Sequence, residues 1–123
     1  MSDETRRLIE AYNDAWNRQD LDALGAFHAD DFVFENHTAG ERAEGEEARA
    51  HIAAIFERWP TLRFSARSLH AAESFAVCEW TASAVRPDGK RIEWDGVDVF
   101  PVRDGKLLRK DVRSASHAAR ELD

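Results

Sequence analysis

The sequence predicts an α+β domain in which helices come first and a long antiparallel sheet comes last. Two observations predict it. Apolar residues recur at helical spacing in three segments before Pro60, and the rest of the chain alternates with period two between short glycine-containing turns. With 123 residues, 43% of them hydrophobic, the chain suits one compact domain over residues 1–123. We therefore expect helices that cover one face of a bent sheet.

Three helices are predicted in the first half of the chain. Leu8, Tyr12 and Trp16 recur every four residues, which predicts a first helix over about residues 3–17. Asp20 can cap a short second helix that ends near residue 28. A third helix is predicted from residue 46, where "EEARAHIAAIFERW" carries its apolar residues on one face until a proline stops it.

Period-two alternation predicts the strands. The first is "DDFVFENHT", and the third helix is followed by "TLRFSARSLHAAE", "SFAVCEWTASAVR", "RIEWDGVDVFPVR" and "LLRKDVRSAS". Because "PDGK" and "DGK" turns join the last three, these four strands should form an antiparallel meander. Two polar segments lack such a pattern: we interpret "GERAEG" as a connection and "SHAARELD" as a tail or a frayed helix.

Composition and charge exclude several classes of function. The net charge is −7 and the 17 basic residues are scattered, so a nucleic-acid backbone would be repelled. No apolar run approaches the ~20 residues of a membrane-spanning helix, and no signal-peptide core begins the chain, so we expect a cytoplasmic protein without a membrane partner. Cys78, the only cysteine, stands in an apolar run, which predicts a buried, inert thiol.

Common cofactor and metal motifs are absent from the sequence. The five histidines form no HExxH or His-x-His pair and have no cysteine cluster to join, so no metal site is expected. The GxSxG, GxGxxG and P-loop patterns are missing as well, which argues against serine hydrolases, dinucleotide-binding domains and P-loop enzymes. The sequence therefore predicts a protein without a cofactor.

Two segments resemble the nuclear transport factor 2-like superfamily, and within it the SnoaL-like domains. "AYNDAWNRQDLDALGAFHADDFVFEN" is similar to that family's first two helices and first strand, and "GVDVFPVRDGKLLRKD" is similar to its last two strands. The resemblance implies a cone of three helices on a strongly curved, mainly antiparallel sheet, with an internal pocket for a small organic ligand. It also implies a homodimer through the convex face of the sheet. It leaves the chemistry open, because this fold hosts many activities.

The strand "RIEWDGVDVFPVR" supplies the first candidate site residue. Alternation places Trp94, Gly96, Asp98 and Phe100 on one face, unless a bulge at the glycine exchanges the faces before it. The glycine would leave room beside Asp98. An acid between two valines in a strand is unusual for a solvated side chain, so a pocket role for Asp98 stands beside an edge or salt-bridge role.

Asn36 separates the chemistries that the resemblance implies. Compared with ketosteroid isomerases, this chain has Tyr12 and Asp98 at the positions of the pair that binds the substrate oxygen. At the position of the proton-abstracting acid it has Asn36, and an amide is no base near neutrality. Compared with limonene epoxide hydrolases, Asn36 of this chain matches a residue that holds the attacking water. Asp111 matches the catalytic base if the correspondence is shifted by one residue. There, however, Trp80 and Ala82 replace an arginine and an acid, and Phe34 replaces a tyrosine.

The polyketide cyclases of the SnoaL type require the fewest catalytic residues, namely one Asp or His in an apolar pocket. We therefore predict a cofactor-free acid/base enzyme acting on a small apolar or polycyclic molecule; the alternative is a non-catalytic binding or dimerisation module, which Asn36 favours. Tyr12 and the tryptophans also fit a packed core. The catalytic candidates are Asp98, Tyr12, Asn36 and Asp111, and the ligand-contacting candidates are Trp16, Phe34, His37, Trp59, Trp80, Trp94 and Phe100.

Overall fold

The computed structural model describes residues 2–122, and its elements follow the predicted order. The helices are α1 (Asp3–Arg18), α2 (Leu21–Phe27) and α3 (Glu46–Arg58). A single 3-10 turn is described, at Ser116–Ala118. The strands are β1 (His28–Asn36), β2 (Glu41–Glu44), β3 (Arg63–Ala71), β4 (Phe75–Val85), β5 (Arg91–Arg103), β6 (Lys106–Ser114) and β7 (Arg120–Leu122).

The strands form one curled, unclosed sheet in the order β2-β1-β6-β5-β4-β3, and β7 pairs with β5. Strands β3 to β6 are antiparallel neighbours, which confirms the predicted meander. Strand β1 lies parallel to β6, so the first strand of the chain borders the last long one. Because the helices pack against one face of this sheet, the predicted α+β cone fold is confirmed.

Local sequence signals fix the helix ends. Ser2 Oγ accepts a hydrogen bond from the backbone N of Thr5 at 3.1 Å, and Asp20 caps α2 by accepting one from the N of Ala23 at 3.0 Å. Helix α3 ends two residues before Pro60, as a proline requires. Among the helices of residues 2–122, none has the length and apolar character needed to cross a membrane.

Two segments that we expected to be irregular are strands. Glu41–Glu44, within the supposed polar connection, pairs antiparallel with the end of β1. Arg120–Leu122, within the supposed tail or helix, pairs with the start of β5. Both predictions were wrong because these short strands are polar and lie at the margin of the sheet, where backbone pairing needs no apolar alternation.

Bulky side chains fill the cone between the helices and β1. Edge-to-face contacts join the ring of Trp16 to Phe56 and Phe64, with centroids 5.2 and 5.7 Å apart. Cys78 is buried as predicted, and burial raises the pKa of its thiol, consistent with an inert side chain. The largest fully buried side chains are Tyr12, Phe32, Phe100, Ile9, Leu24, Ile52 and Leu107.

Candidate ligand-binding site

A cavity of about 440 Å³ lies between α1 and the edge strand β3. Helix α1 is tied to β3 at two places. Asn17 exchanges two hydrogen bonds of 2.7 and 2.9 Å with the backbone of Phe64, and Arg6 donates one of 2.7 Å to the carbonyl of Leu69. Between these ties the β3–β4 register shifts at residues 66–68, and the cavity lies along this stretch.

The cavity lining combines polar groups with apolar surface. Arg6, Glu10, Asn13 and Asn17 follow each other along one face of α1 and supply polar groups. The indoles of Trp16 and Trp80 and the ring of Phe64 supply flat apolar surface. The complete lining is Arg6, Glu10, Asn13, Asp14, Trp16, Asn17, Phe64, Ala66, Arg67, Ser68, Leu69, Trp80, Asp98 and Lys110.

Asp98 and Lys110 form a buried ion pair in this lining. Asp98 on β5 is 2% exposed and Lys110 on β6 is 5% exposed. Lys110 Nζ donates to Asp98 Oδ2 at 2.8 Å. The other carboxylate oxygen, Oδ1, is buried and receives no hydrogen bond from any residue in the range 2–122. Because an unsatisfied buried carboxylate oxygen is costly, this position favours a ligand group or a water that donates to it.

Three aromatic rings surround the ammonium group of Lys110. Its Nζ lies 4.8 Å from the ring centroid of Trp16, 5.1 Å from that of Phe100 and 5.6 Å from that of Tyr12. Such cation–π contacts offset part of the hydration that the cation loses on burial. The pair is therefore an ionic group built into the aromatic core.

Tyr12 packs against Lys110 from outside the cavity lining. Its hydroxyl is 2.9 Å from His28 Nε2, and burial raises the pKa of Tyr12 far above its usual range. The imidazole stacks on Phe32 with centroids 3.5 Å apart. Burial, with a contribution from the charge of Lys110, lowers the pKa of His28 to about 4. His28 is thus neutral at pH 7, and its Nε2 can accept a hydrogen bond from the hydroxyl of Tyr12.

The space that we expected beside Asp98 at Gly96 is filled. Trp80 stands opposite Gly96 on β4, and its six-membered ring covers the glycine so closely that a Cβ would overlap it. The expectation was wrong because the space that glycine leaves free is occupied by the neighbouring indole of Trp80 instead of a ligand. The β4–β5 ladder runs without a register shift, so the predicted faces of β5 hold on both sides of the glycine.

The structure brings three of the predicted site residues into the cavity lining: Asp98, Trp16 and Trp80. Phe100 and Tyr12 lie against Lys110 instead. Other predicted aromatic residues pack elsewhere in the core. Phe34 contacts Trp16 and His51, with centroids 6.4 and 4.9 Å away, and Trp59 lies 6.1 Å from Trp94.

The remaining candidates, Asn36, His37 and Asp111, do not join Asp98. The carboxamide oxygen of Asn36 accepts hydrogen bonds of 3.1 and 3.0 Å from the next turn, at Thr38 N and Ala39 N. Asp111 directly follows Lys110 in β6, so its side chain points to the outer face of the sheet. There its Oδ1 lies 3.0 Å from His37 Nε2. Their placement near the pocket was an incorrect expectation.

The outer-face group also contains Glu35, and its potential metal-ligating atoms lie within 4.8 Å of one another. The imidazole of His37 stands between two carboxylates, with Nε2 3.0 Å from Asp111 and Nδ1 3.7 Å from Glu35. Arg42 and Arg109 bind the second oxygen of each carboxylate, at 3.0 and 2.9 Å. The arrangement is an ion-pair network in which each carboxylate already has cationic partners.

Family comparison agrees with this geometry. The sequence model of the SnoaL-like domain matches residues 9–110. The chain belongs to the SnoaL-like domain family. The resemblance inferred from its first two helices, its first strand and its last two strands is thereby confirmed. A search of curated proteins gives no significant match.

Three solved structures show what this SnoaL-like protein is similar to in fold. A protein proposed to be a polyketide cyclase from Xanthomonas campestris pv. campestris is 26% identical, with a TM-score of 0.74 and coverage of 89% of each chain. The epoxide hydrolase/cyclase-like enzyme SalBIII, with a role in pyran ring formation in the polyether salinomycin, is 18% identical, with a TM-score of 0.85 and coverage of 99% and 100%. TerC, co-crystallised with polyporic acid, is 16% identical, with a TM-score of 0.83 and coverage of 94% of each chain.

Sequence reasoning missed Lys110 in this SnoaL-like protein. The β5–β6 register shifts between Val99 and Val102, so Leu107 and Lys110, three positions apart, are both buried. Strict alternation along β6 would place these two side chains on opposite faces of the sheet. The available signal was Val112, because an apolar residue two positions after Lys110 places the lysine on the same face.

Proposed function

We propose that this SnoaL-like protein binds a small, largely apolar organic molecule between α1 and β3 and accepts a proton from it on Asp98. The observation that carries the proposal is Asp98 Oδ1, a buried oxygen in the cavity lining without a donor from residues 2–122. Because no donor from these residues engages this oxygen, it is the atom that would act as the general base toward a bound C–H or O–H acid.

Comparison and cavity shape support this proposal. The size of the cavity, about 440 Å³, suits one small organic molecule, and the flat surfaces of Trp16, Trp80 and Phe64 suit a planar one. Similar structures include SalBIII, an epoxide hydrolase/cyclase-like enzyme, and TerC, which was co-crystallised with polyporic acid. In this proposal Tyr12, Asn36 and Asp111 stabilise the fold and Asp98 is the base.

Hydrogen–deuterium exchange tests the role of Asp98. A panel of cyclic ketones is incubated with the protein in D2O, and loss of the α C–H signal is followed by NMR. We expect wild type to accelerate the exchange of at least one ketone and Asp98→Asn to lose ~100-fold or more of this acceleration, the usual range for a general base. The control Asp31→Asn removes an exposed acid from β1 and should leave the rate unchanged. Equal rates in wild type and Asp98→Asn would refute Asp98 as the base.

A second candidate function is ligand binding without catalysis. Two observations favour it: the carboxamide of Asn36 is committed to the turn after β1, and large side chains fill the cone beside that strand. The same experiment separates the two functions. Ketones that bind wild type, by a ligand-induced shift in melting temperature, without accelerated exchange would identify a binding module.

We also infer that a second copy of this chain packs on the outer face of β4 and β5. Apolar side chains lie side by side there: Val77 opposite Val99, and Phe75, 47% exposed, opposite Pro101. Charges of opposite sign flank this patch. Glu79, Val97 and Arg113 form one row across β4, β5 and β6. A two-fold axis parallel to β5 and passing over Val97 would bring Arg113 of each copy to Glu79 of the other, so this row is complementary to itself.

A further inference from the structure

We infer that Lys110 binds the ligand oxygen that becomes negatively charged when Asp98 accepts the proton. The ligand class is then a compound whose conjugate base carries its charge on oxygen, namely an enolisable carbonyl compound or a phenol. This inference rests on the proposed function of Asp98. It assigns the oxygen-binding role to a residue that the resemblance to ketosteroid isomerases does not provide.

The hydrogen-bonding capacity of Lys110 supports this role. An ammonium group has three N–H donors, and among residues 2–122 the only oxygen that accepts from Nζ is Asp98 Oδ2. Its other close neighbours are the rings of Trp16, Phe100 and Tyr12. Lys110 also belongs to the cavity lining. A ligand oxygen can therefore take a donor that no protein oxygen occupies.

The charge balance of the pair favours the same role. Before the reaction the site holds one carboxylate and one ammonium group 2.8 Å apart, with a net charge of zero. The C–H or O–H bond of the ligand breaks, the proton moves to Asp98 Oδ1, and the electron pair stays on the ligand, delocalised onto its oxygen. The site then holds a neutral acid, the same ammonium group and a ligand anion. The net charge is still zero, so proton transfer leaves no uncompensated charge buried.

Two residues that the resemblance suggests for this role are already committed. The hydroxyl of Tyr12 is bonded to His28, and Tyr12 lies outside the cavity lining. The carboxamide of Asn36 belongs to the turn after β1. Lys110 is the cation in direct contact with Asp98, and the two groups can reach neighbouring atoms of one ligand.

The test compares two variants that differ only in the amine. Asp98→Asn removes the carboxylate and leaves the ammonium group of Lys110 as the one charge of the pair, which a bound phenolate would balance; Asp98→Asn with Lys110→Met removes both charges. The probes are 4-nitrophenol, at a pH where it is ionised, and 4-nitroanisole, its methyl ether, which cannot ionise. Binding is measured by absorbance titration. Lys90→Met in the Asp98→Asn background removes the same charge from an exposed turn and serves as control.

We expect 4-nitrophenolate to bind Asp98→Asn on the order of 10- to 100-fold more tightly than the double variant, since a hydrogen bond between two charged groups is lost. 4-Nitroanisole should bind both equally, and Lys90→Met should change neither affinity. Equal affinity of 4-nitrophenolate for both variants would overturn the role of Lys110 and leave the cavity proposal standing. If neither probe binds wild type or any variant, the cavity proposal itself fails.

Discussion

Gly96 allows a close contact between two strands because it has no side chain. The ring of Trp80 covers its backbone, and an alanine side chain would overlap that ring. We expect Gly96→Ala to lower the free energy of unfolding by about 1–3 kcal/mol, as overpacked cores usually do. Urea denaturation measures the change.

A double-mutant cycle separates this overlap from a general effect of alanine in a strand. If the overlap is the cause, Trp80→Phe should make Gly96→Ala much less destabilising, because the smaller ring leaves space. Gly25→Ala, in helix α2, is the control for an added methyl group without overlap: its nearest neighbour would be Arg49 Nη1 at 3.7 Å, an ordinary contact. A loss of stability at Gly96 that is the same in both Trp80 backgrounds would contradict the close contact.

His28 should make the protein sensitive to mild acid. The pKa of His28 is lowered from an ordinary value of 6.5 to about 4, mainly by burial. Between these values the unfolded chain binds a proton that the folded chain does not, so stability falls as the pH falls from 6.5 to 4. The full effect is about 3 kcal/mol, at 1.36 kcal/mol for each pH unit. Urea denaturation at several pH values measures it.

A glutamine at position 28 keeps a hydrogen-bond acceptor for Tyr12 without titrating in this range. His28→Gln should therefore flatten the stability profile between pH 6.5 and 4. The control His70→Gln changes an exposed histidine and should keep the wild-type slope. A wild-type slope that persists in His28→Gln would assign the acid sensitivity to other groups.

At the scale of elements, the sequence predicts those that bury an apolar face and misses those that do not. Helix α1 and strands β3 to β6 follow from period and turn chemistry, and the structure agrees. Strand β2 consists of Glu, Arg, Ala and Glu, so nothing in its pattern indicates the pairing with β1. Backbone hydrogen bonds stabilise such a strand, and they require no particular pattern of side chains in the sequence.

The same limit applies to the site. Asp98 was predictable because β5 keeps strict alternation from Arg91 to Arg103. Lys110 was missed although Val112 marks its face, because the register shift that breaks the alternation of β6 depends on how two strands meet across the sheet. The cavity could not be predicted either. It depends on the hydrogen bonds at two places between α1 and β3, which join residues far apart in the chain.

At the scale of the whole molecule, the outer face of the sheet predicts the oligomeric state. We expect a homodimer in sedimentation equilibrium, because Val77, Val97 and Val99 together with Phe75 form an apolar patch at the centre of this face. Val99→Lys places a charge in the patch. It should weaken the dimer on the order of 30-fold, as the loss of a central contact commonly does.

Charge reversal tests the two-fold arrangement itself. If Arg113 of each copy faces Glu79 of the other, Glu79→Arg and Arg113→Glu should each weaken the dimer by bringing like charges together, and the double variant should restore it. Glu57→Arg reverses a charge on the exposed side of α3, away from this face, and should leave the dimer constant unchanged. A monomeric wild type would refute the interface. A dimer that both single reversals leave intact would rule out the axis parallel to β5 over Val97, since that axis sets these two residues against each other.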